Sequence, residues 1–198
     1  MKHFDTVIRG GTVVTAADST DCDVGIIDGR VAALGLGFSD ADRVIDATGK
    51  LVLPGGIEGH CHIEQQSSVG GVMSADDFFT GTRSAVFGGT TTTLSFAQQI
   101  PGESLRKTVQ DYHECARPKA VIDYGFHLII SDPTEQVLGQ DLPALVADGM
   151  PSFKVYMTYD SLKLDDRQML EVLLTARRCG AMMMIHAENH DIIKWLTD

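Results

Sequence analysis

The chain has 198 residues, of which 43% are hydrophobic and 22% charged, a composition typical of a globular protein with an apolar core. Its formal net charge of −11 has no compensating basic patch, which argues against nucleic acid as a partner. We expect a cytoplasmic protein without a membrane span or disulfide framework, because the sequence shows no signal peptide, no long apolar run and only four scattered cysteines.

Residues 1–50 predict a small module of short strands with few helical residues. Gly10-Gly11 separates the first two strands, and Asp28-Gly29 is typical of a tight hairpin because both residues tolerate positive φ. The predicted strands are Phe4–Arg9, Thr12–Thr15, Val24–Ile27, Val31–Leu34 and Val44–Asp46. We therefore assign residues 1–50 to one β domain and residues 51–198 to a second domain of different type.

Residues 51–198 alternate between strand and helix patterns, which favours parallel strands joined by crossover helices. The predicted strands are 51–63, 90–96, 124–130, 152–157 and 181–186, and the predicted helices are 76–87, 104–116, 142–148, 166–179 and one beginning near Asn189. A (β/α)8 barrel takes roughly 250 residues, so this segment would supply about its first five strands. A doubly wound open sheet ranks second, because no Gly-x-Gly-x-x-Gly phosphate turn follows the first strand.

His60 and His62 follow an apolar run at the end of the first predicted barrel strand. Side chains alternate between the faces of a strand, so both imidazoles should point the same way and Cys61 the opposite way. Two converging imidazoles form half of a first-row metal site. A bare His-x-His is more often an ordinary polar strand end, and the other strand-end residues are what favour the metal interpretation.

Lys154 lies within an otherwise apolar and aromatic strand, and His186 ends the next strand. Catalytic residues of parallel barrels sit at the carboxyl ends of strands, where these two side chains would join the histidine pair. Burial of an ammonium is costly and favours the neutral amine, which can add carbon dioxide to become a carbamate that bridges two metal ions. A lone strand lysine is more often one whose ammonium reaches solvent at the barrel mouth.

These residues belong to a set of ordered segments that spans nearly the whole chain. The chain resembles the amidohydrolase superfamily and, within it, the dihydropyrimidinase and D-hydantoinase group of cyclic amidohydrolases. The segments that carry the resemblance are Leu53–His62, Ser74–Phe78, Gly88–Thr92, Ser152–Tyr159 and Ile185–Asn189.

The resemblance implies an α/β fold, a (β/α)8 TIM-type barrel preceded by part of a small β-sandwich, with this chain as the N-terminal portion. It implies two divalent ions, zinc first and manganese or cobalt as alternatives, bridged by N6-carboxylated Lys154. His60 and His62 would bind the more buried ion and His186 the second, while Tyr159 would hydrogen-bond the substrate carbonyl. Gln65–Met73 and Tyr156–Tyr159 would shape the substrate pocket.

The implied reaction is hydrolysis of dihydropyrimidines or 5-substituted hydantoins to N-carbamoyl amino acids, in pyrimidine catabolism. The family takes further ligands from later strands, so this chain alone is expected to be inactive, and the complete enzyme is expected to be a homotetramer. One alternative is a non-catalytic scaffold of the same fold that has lost its metal ligands. Another is a dihydroorotase or allantoinase, whose relatives often place an arginine near the strand-one histidines, where this chain has Ile63–Gln66.

Overall fold

The computed structural model describes residues 3–66 and 71–197. It separates into two compact units, Met1–Gly55 and Gly56–Asp198. The boundary lies five residues beyond residue 50, because Leu51 and Val52 pair with the first strand of the chain. The domain bounds of 1–50 and 51–198 stay a prediction.

The first unit is a mixed five-stranded sheet. Its strands are β1 (Phe4–Val14), β2 (Ser19–Ile27), β3 (Arg30–Gly35), β4 (Ala41–Asp46) and β5 (Leu51–Val52). The order is β3-β2-β1-β4, with β5 also paired to β1; β2 runs antiparallel to β1 and β3, whereas β4 and β5 run parallel to β1. Asp28 and Gly29 have φ values of 52° and 69° between β2 and β3, which confirms the predicted hairpin turn.

The prediction of two separate strands at Phe4–Arg9 and Thr12–Thr15 was wrong, because they form the single strand β1. The pairing register with β2 shifts between Ile8 and Gly11, and Gly10 adopts a φ of 72°. A β-bulge of this kind admits an extra residue without ending the strand. The two glycines therefore mark an irregularity within one strand and not a turn between two.

Asp23 is the buried polar anchor of this sheet, with 3% of its surface exposed. Its carboxylate accepts hydrogen bonds from the backbone N–H groups of Gly10, at 2.9 Å, and Phe38, at 3.1 Å. Burial opposes ionisation, but these bonds and one from the Gly37 amide hold the pKa of Asp23 below its usual value. The carboxylate thus ties the bulge to the segment that precedes β4.

The substitution Asp23→Ala should lower the free energy of unfolding of this unit by about 1–3 kcal/mol, because it leaves two backbone donors without their acceptor. Hydrogen exchange at the Gly10 and Phe38 amides together with urea unfolding measures the effect, and the exposed Asp21→Ala is the matched control. Since the folded-state pKa is depressed, the stabilisation is present above the unfolded aspartate pKa, near pH 4, and is lost on further acidification. Equal exchange rates in the parent and Asp23→Ala would contradict this role.

The second unit contains five parallel strands and their connecting helices. The strands are β6 (Gly56–Cys61), β7 (Thr90–Gln98), β8 (Asp123–Ile129), β9 (Ser152–Tyr156) and β10 (Met182–His186). The helices are α1 (Phe78–Phe87), α2 (Leu105–Ala116), α3 (Leu142–Ala147), α4 (Asp166–Cys179) and α5 (His190–Thr197), and a π-helical turn at Val137–Asp141 precedes α3. Within the described residues, none of the helices has the length and apolarity needed to cross a membrane.

The five strands lie side by side in chain order, from β6 to β10, and all neighbouring pairs are parallel. A doubly wound sheet reverses its strand order at a switch point, and no reversal occurs among these strands. The arrangement is that of the first five strands of a (β/α)8 barrel. The barrel prediction is confirmed and the open-sheet alternative is wrong.

The single strand predicted at Leu51–Ile63 was also wrong. Leu51 and Val52 form β5 in the first unit, and Gly56–Cys61 forms β6 in the second. Pro54 lies between them and has no N–H for a sheet ladder, so the chain leaves one sheet before it enters the other. Only the second half of the apolar run therefore belongs to the strand that carries the histidines.

The first barrel helix begins later than predicted, at Phe78, because Asp77 and not Ser74 is its N-cap. The Asp77 carboxylate accepts from the Thr80 N–H at 2.8 Å, and the Thr80 hydroxyl bonds the Asp77 backbone in return, which forms a capping box. The other predicted elements of the second unit agree with the structure to within two residues, and α4 agrees at both ends. In the first unit, β2 begins five residues before the predicted Val24 and β4 three residues before the predicted Val44.

The parallel sheet of the second unit has two chemically different faces. Phe126, Leu128, Phe153 and Val155 pack with apolar side chains of the helices in the main core. The alternating positions carry Phe96, Ile129 and Tyr156, which form a separate small cluster with Leu162 from the turn after β9. His127 and Lys154 are also buried on this face by strand alternation. The second face is the one that carries the polar side chains.

Candidate functional site

A cavity of about 560 Å³ lies where β6, β7, β9 and β10 end. All five side chains predicted to act in the site line it, namely His60, His62, Lys154, Tyr159 and His186. The remaining lining residues are Gln65, Gln66, Val72, Met73, Ser74, Gln98, Tyr156 and Leu162. Residues that are up to 126 positions apart in sequence thus meet at one opening, and their individual roles stay predictions.

His60, in β6, and His62, directly after its last residue, lie on the same side of the chain, as predicted from strand alternation. Their ring centroids are 5.5 Å apart, in an edge-to-face arrangement. Burial lowers the pKa of His60, and the nearby His62 and Lys154 lower it further. The expectation for Cys61 also holds, since its thiol lies 3.3 Å from the Ser95 hydroxyl and packs against the main core.

Phe96 forms the floor beneath both imidazoles. Its ring centroid lies 4.5 Å from that of His60 and 5.0 Å from that of His62, and it stacks on His62 at an interplanar angle of 19°. Sequence reasoning missed this residue, although its position in the β-branched strand β7 was a signal that it is buried. The aromatic floor limits the rotamers that both histidines can adopt.

Lys154 is the most unusual group of the site, since only 9% of its surface is exposed. Its ammonium lies 5.2 Å from the centroid of the Tyr156 ring. Burial lowers the pKa of Lys154, and within residues 3–66 and 71–197 no carboxylate opposes that effect. The site therefore holds a desolvated amine without an ion-pair partner, which favours its neutral form.

His186 and Tyr159 face each other across the far wall of the cavity. Their ring centroids are 5.2 Å apart, and His186 also stacks on Tyr156 at 5.4 Å. The Nε2 atom of His186 hydrogen-bonds the carboxylate of Glu188, a contact that sequence reasoning missed. Tyr159 has a φ of 69°, a conformation that costs a non-glycine residue energy and that clusters at functional sites.

His127 braces the strand that carries the histidine pair. Its ring accepts a hydrogen bond from the Ser152 hydroxyl at Nδ1, at 2.6 Å, and donates from Nε2 to the Gly59 carbonyl, at 3.0 Å. These bonds tie β8 to β9 and to the residue that precedes His60. Both ring nitrogens of His127 are therefore engaged in hydrogen bonds within the barrel.

The described residues alone do not complete a metal site of the usual donor types. Within residues 3–66 and 71–197, no three His, Cys, Asp or Glu side chains lie close enough together to hold a metal ion. The predicted pocket loop Gln65–Met73 includes residues 67–70, which lie outside the described residues. The part of that loop that is described contributes Gln65, Gln66, Val72 and Met73 to the cavity wall.

No protein-family model matches the chain. The chain is 45% identical over 194 residues to the D-hydantoinase of Geobacillus stearothermophilus and 44% identical over 196 residues to that of Rhizobium radiobacter. These matches cover 96% and 98% of this chain but only 41% and 42% of the two relatives. The chain thus spans about two fifths of the length of the curated relatives that it matches.

The solved dihydropyrimidinase from Brevibacillus agri superimposes with a TM-score of 0.91 at 45% identity, over 97% of this chain and 42% of the neighbour. The fold and the strand-end cavity define a partial (β/α)8 barrel of the amidohydrolase type. Over almost its whole length the chain is similar to D-hydantoinases and dihydropyrimidinases, of which it matches about two fifths. The predicted resemblance is confirmed.

The substitution Phe96→Ala should lower the free energy of unfolding by about 3–5 kcal/mol, because Phe96 is 1% exposed and its removal opens a cavity under both histidines. Phe87→Ala is the matched control; that ring is 83% exposed, and its loss should cost less than about 0.5 kcal/mol. Urea unfolding followed by circular dichroism measures both variants. Similar losses in the two variants would show that Phe96 is not the support described here.

Proposed function

We propose that the protein to which this chain belongs is a metal-dependent hydrolase of cyclic amides, which opens dihydropyrimidines and 5-substituted hydantoins to N-carbamoyl amino acids. The single observation that carries the proposal is the convergence of His60, His62, Lys154, Tyr159 and His186 on one cavity. The sequence identity to D-hydantoinases supports the same substrate class. A cavity of about 560 Å³ is within the usual range for a small-molecule site.

In this proposal two divalent ions occupy the cavity, zinc first and manganese or cobalt as alternatives. His60 and His62 would hold one ion, His186 would hold the second, and Lys154, as its carbamate, would supply oxygen ligands. The donor set fits, because imidazole and carboxylate-type oxygen are both ligands for these metals. The described residues offer no third His, Cys, Asp or Glu side chain near the histidine pair, so the carbamate would supply the missing oxygen ligand. When bound, such ions lower the pKa of water and polarise the ring carbonyl.

The carbamate forms on the Lys154 side chain itself. The neutral amine attacks carbon dioxide, a nitrogen–carbon bond forms, and the amine proton leaves to solvent, so that a neutral group becomes an anion with two oxygens. The absence of a carboxylate partner for Lys154 among the described residues supports this modification, because a salt bridge would keep the amine protonated.

Tyr159 is proposed to donate its phenolic hydrogen to the carbonyl oxygen of the ring. A donor fixed at this point stabilises the negative charge that develops on the oxygen during attack. The strained backbone of Tyr159 and the adjacent His186 ring hold the phenol at the cavity wall. The side chain therefore has both the position and the chemistry of an oxyanion donor.

Dihydroorotase or allantoinase activity is the second candidate. Such substrates carry a carboxylate or ureido group that an arginine near the histidines would hold, and no arginine is found among the described lining residues. A non-catalytic scaffold is less well supported, because all four proposed ligand residues are present in the cavity.

We also propose a cytoplasmic homotetramer, and the four free thiols among the described residues are consistent with a reducing compartment.

Lys154→Met should abolish tight binding of the bridged metal pair, because the variant keeps the length of the side chain but cannot form a carbamate. Metal content after zinc reconstitution and a carbamate carbon signal after ¹³C-bicarbonate labelling measure the two effects. Lys50→Met, at an exposed position, is the matched control and should retain the parent values. A parent protein with neither bound metal nor a carbamate signal would refute the proposed site.

Substrate choice is tested in the full-length protein with dihydrouracil, 5-substituted hydantoins and dihydroorotate. We expect the first two classes to be hydrolysed with kcat/KM at least about tenfold above that for dihydroorotate. The carboxylate of dihydroorotate would be left unpaired in the cavity, because no arginine is found among the described lining residues. Fastest turnover of dihydroorotate would refute the substrate assignment and leave the metal site standing.

A further inference from the structure

Gln65 makes a direct hydrogen bond to one of the proposed ligands. The family resemblance places Gln65 only in the predicted pocket loop, and the proposed chemistry gives it no role. Its side-chain Oε1 lies 2.5 Å from Nδ1 of His62. Gln65 is 8% exposed, so this bond is shielded from competing water. A buried amide at this distance fixes the orientation of the ring that it contacts.

The bond also fixes which ring nitrogen carries the hydrogen. An amide oxygen only accepts, so Nδ1 of His62 must donate and Nε2 keeps the lone pair. The side-chain amide of Gln65 donates to Gln98 Oε1 at 3.4 Å, which orients the oxygen toward His62. Metal-binding histidines are generally held this way, with the second nitrogen donating to an oxygen acceptor.

The backbone of Gln65 is anchored independently of its side chain. Its N–H donates to the Ser74 hydroxyl at 3.0 Å, and its carbonyl accepts from the Ser74 N–H at 2.9 Å. Glu64, directly before it, has a φ of 49°, a conformation that turns the chain back toward His62.

The strained turn at Glu64 is held by contacts of its carboxylate. One oxygen accepts from the Phe78 N–H at 3.1 Å, at the start of α1, and the other pairs with the Lys119 ammonium. These contacts offset the conformational cost of the turn, so the direction of Gln65 is set by the scaffold and not by the ligand.

We propose that Gln65 is a positioning residue that holds the His62 ring in the Nδ1–H tautomer and presents Nε2 to a divalent metal. The inference rests on the proposed metal-dependent function, and it adds a residue that acts on the metal only through His62. Its loss should weaken Zn²⁺ binding by about 10–100-fold, the usual effect of removing such a partner.

The experiment compares the parent chain with Q65M, which keeps the side-chain length but has no oxygen, and with Q65E, which restores an acceptor. Q110M is the matched control, since Gln110 is exposed on α2 and remote from the cavity. Long-range ¹H–¹⁵N correlation spectra of the metal-free chains report the tautomer of each histidine, with the His62 signals assigned from H62N. Competition with a chelating dye then measures Zn²⁺ affinity.

We expect the Nδ1–H tautomer of His62 in the parent, Q110M and Q65E, a mixed or Nε2–H form in Q65M, and weaker Zn²⁺ binding in Q65M alone. An Nε2–H tautomer in the parent would overturn the inference without touching the proposed function, and so would Zn²⁺ binding by Q65M within twofold of the parent. A parent with the expected tautomer but no Zn²⁺ binding would overturn the proposed metal site and this role with it. If Q65M does not fold, the inference is tested by the tautomer of His62 in the parent and by the Zn²⁺ affinity of Q65E, which should match that of the parent.

Discussion

The site depends on the strict alternation of side chains across the parallel sheet of the second unit. Positions such as Phe153 and Val155 pack into the helical core, so the intervening Lys154 is directed to the other face. A shift of β9 by one residue would exchange the two sets and bury the lysine among apolar helix residues. The apolar packing that stabilises the barrel is therefore also what delivers the polar groups to the cavity.

Placing polar side chains on the inner face requires that each has a partner or a function. His127 satisfies both ring nitrogens through Ser152 and the Gly59 carbonyl, and it serves as a fixed strut. Burial of Lys154 is opposed by no carboxylate among the described residues, which is consistent with its proposed role in the chemistry of the site. Strained backbone in the second unit also lies near the cavity. Glu64 and Tyr159, which are non-glycine residues with positive φ, occur beside the cavity and not in the helical core.

The sequence was sufficient to predict the parts of the site that depend on local periodicity. His60 and His62 share a face because of a two-residue repeat, and Lys154 and His186 are recognisable as polar residues in apolar strands. Phe96 and Gln65 were not assigned because their roles arise from contacts between segments. The floor beneath the histidines requires the pairing of β6 with β7, and the Gln65 bond requires a turn held by Lys119, 54 residues further along.

The same limit explains the error at Leu51–Ile63. Both halves of that apolar run have strand character, and only the choice of partner, β1 for one half and β7 for the other, separates them. Pro54 was a visible signal for the break, but periodicity does not specify which sheet a strand joins. Local patterns predict the type of an element more reliably than its neighbours.

The ionisable groups of the cavity wall differ in type from those that dominate the chain. The chain carries a net charge of −11, yet the described lining residues include three histidines and a lysine and no aspartate or glutamate. Imidazole nitrogens bind divalent cations, and an anionic oxygen donor would add the charge compensation that these lining residues lack. In the proposed function, conversion of Lys154 to its carbamate would make that group anionic and would supply two oxygen ligands. The proposed modification would therefore add the oxygen donors that the described lining residues otherwise lack.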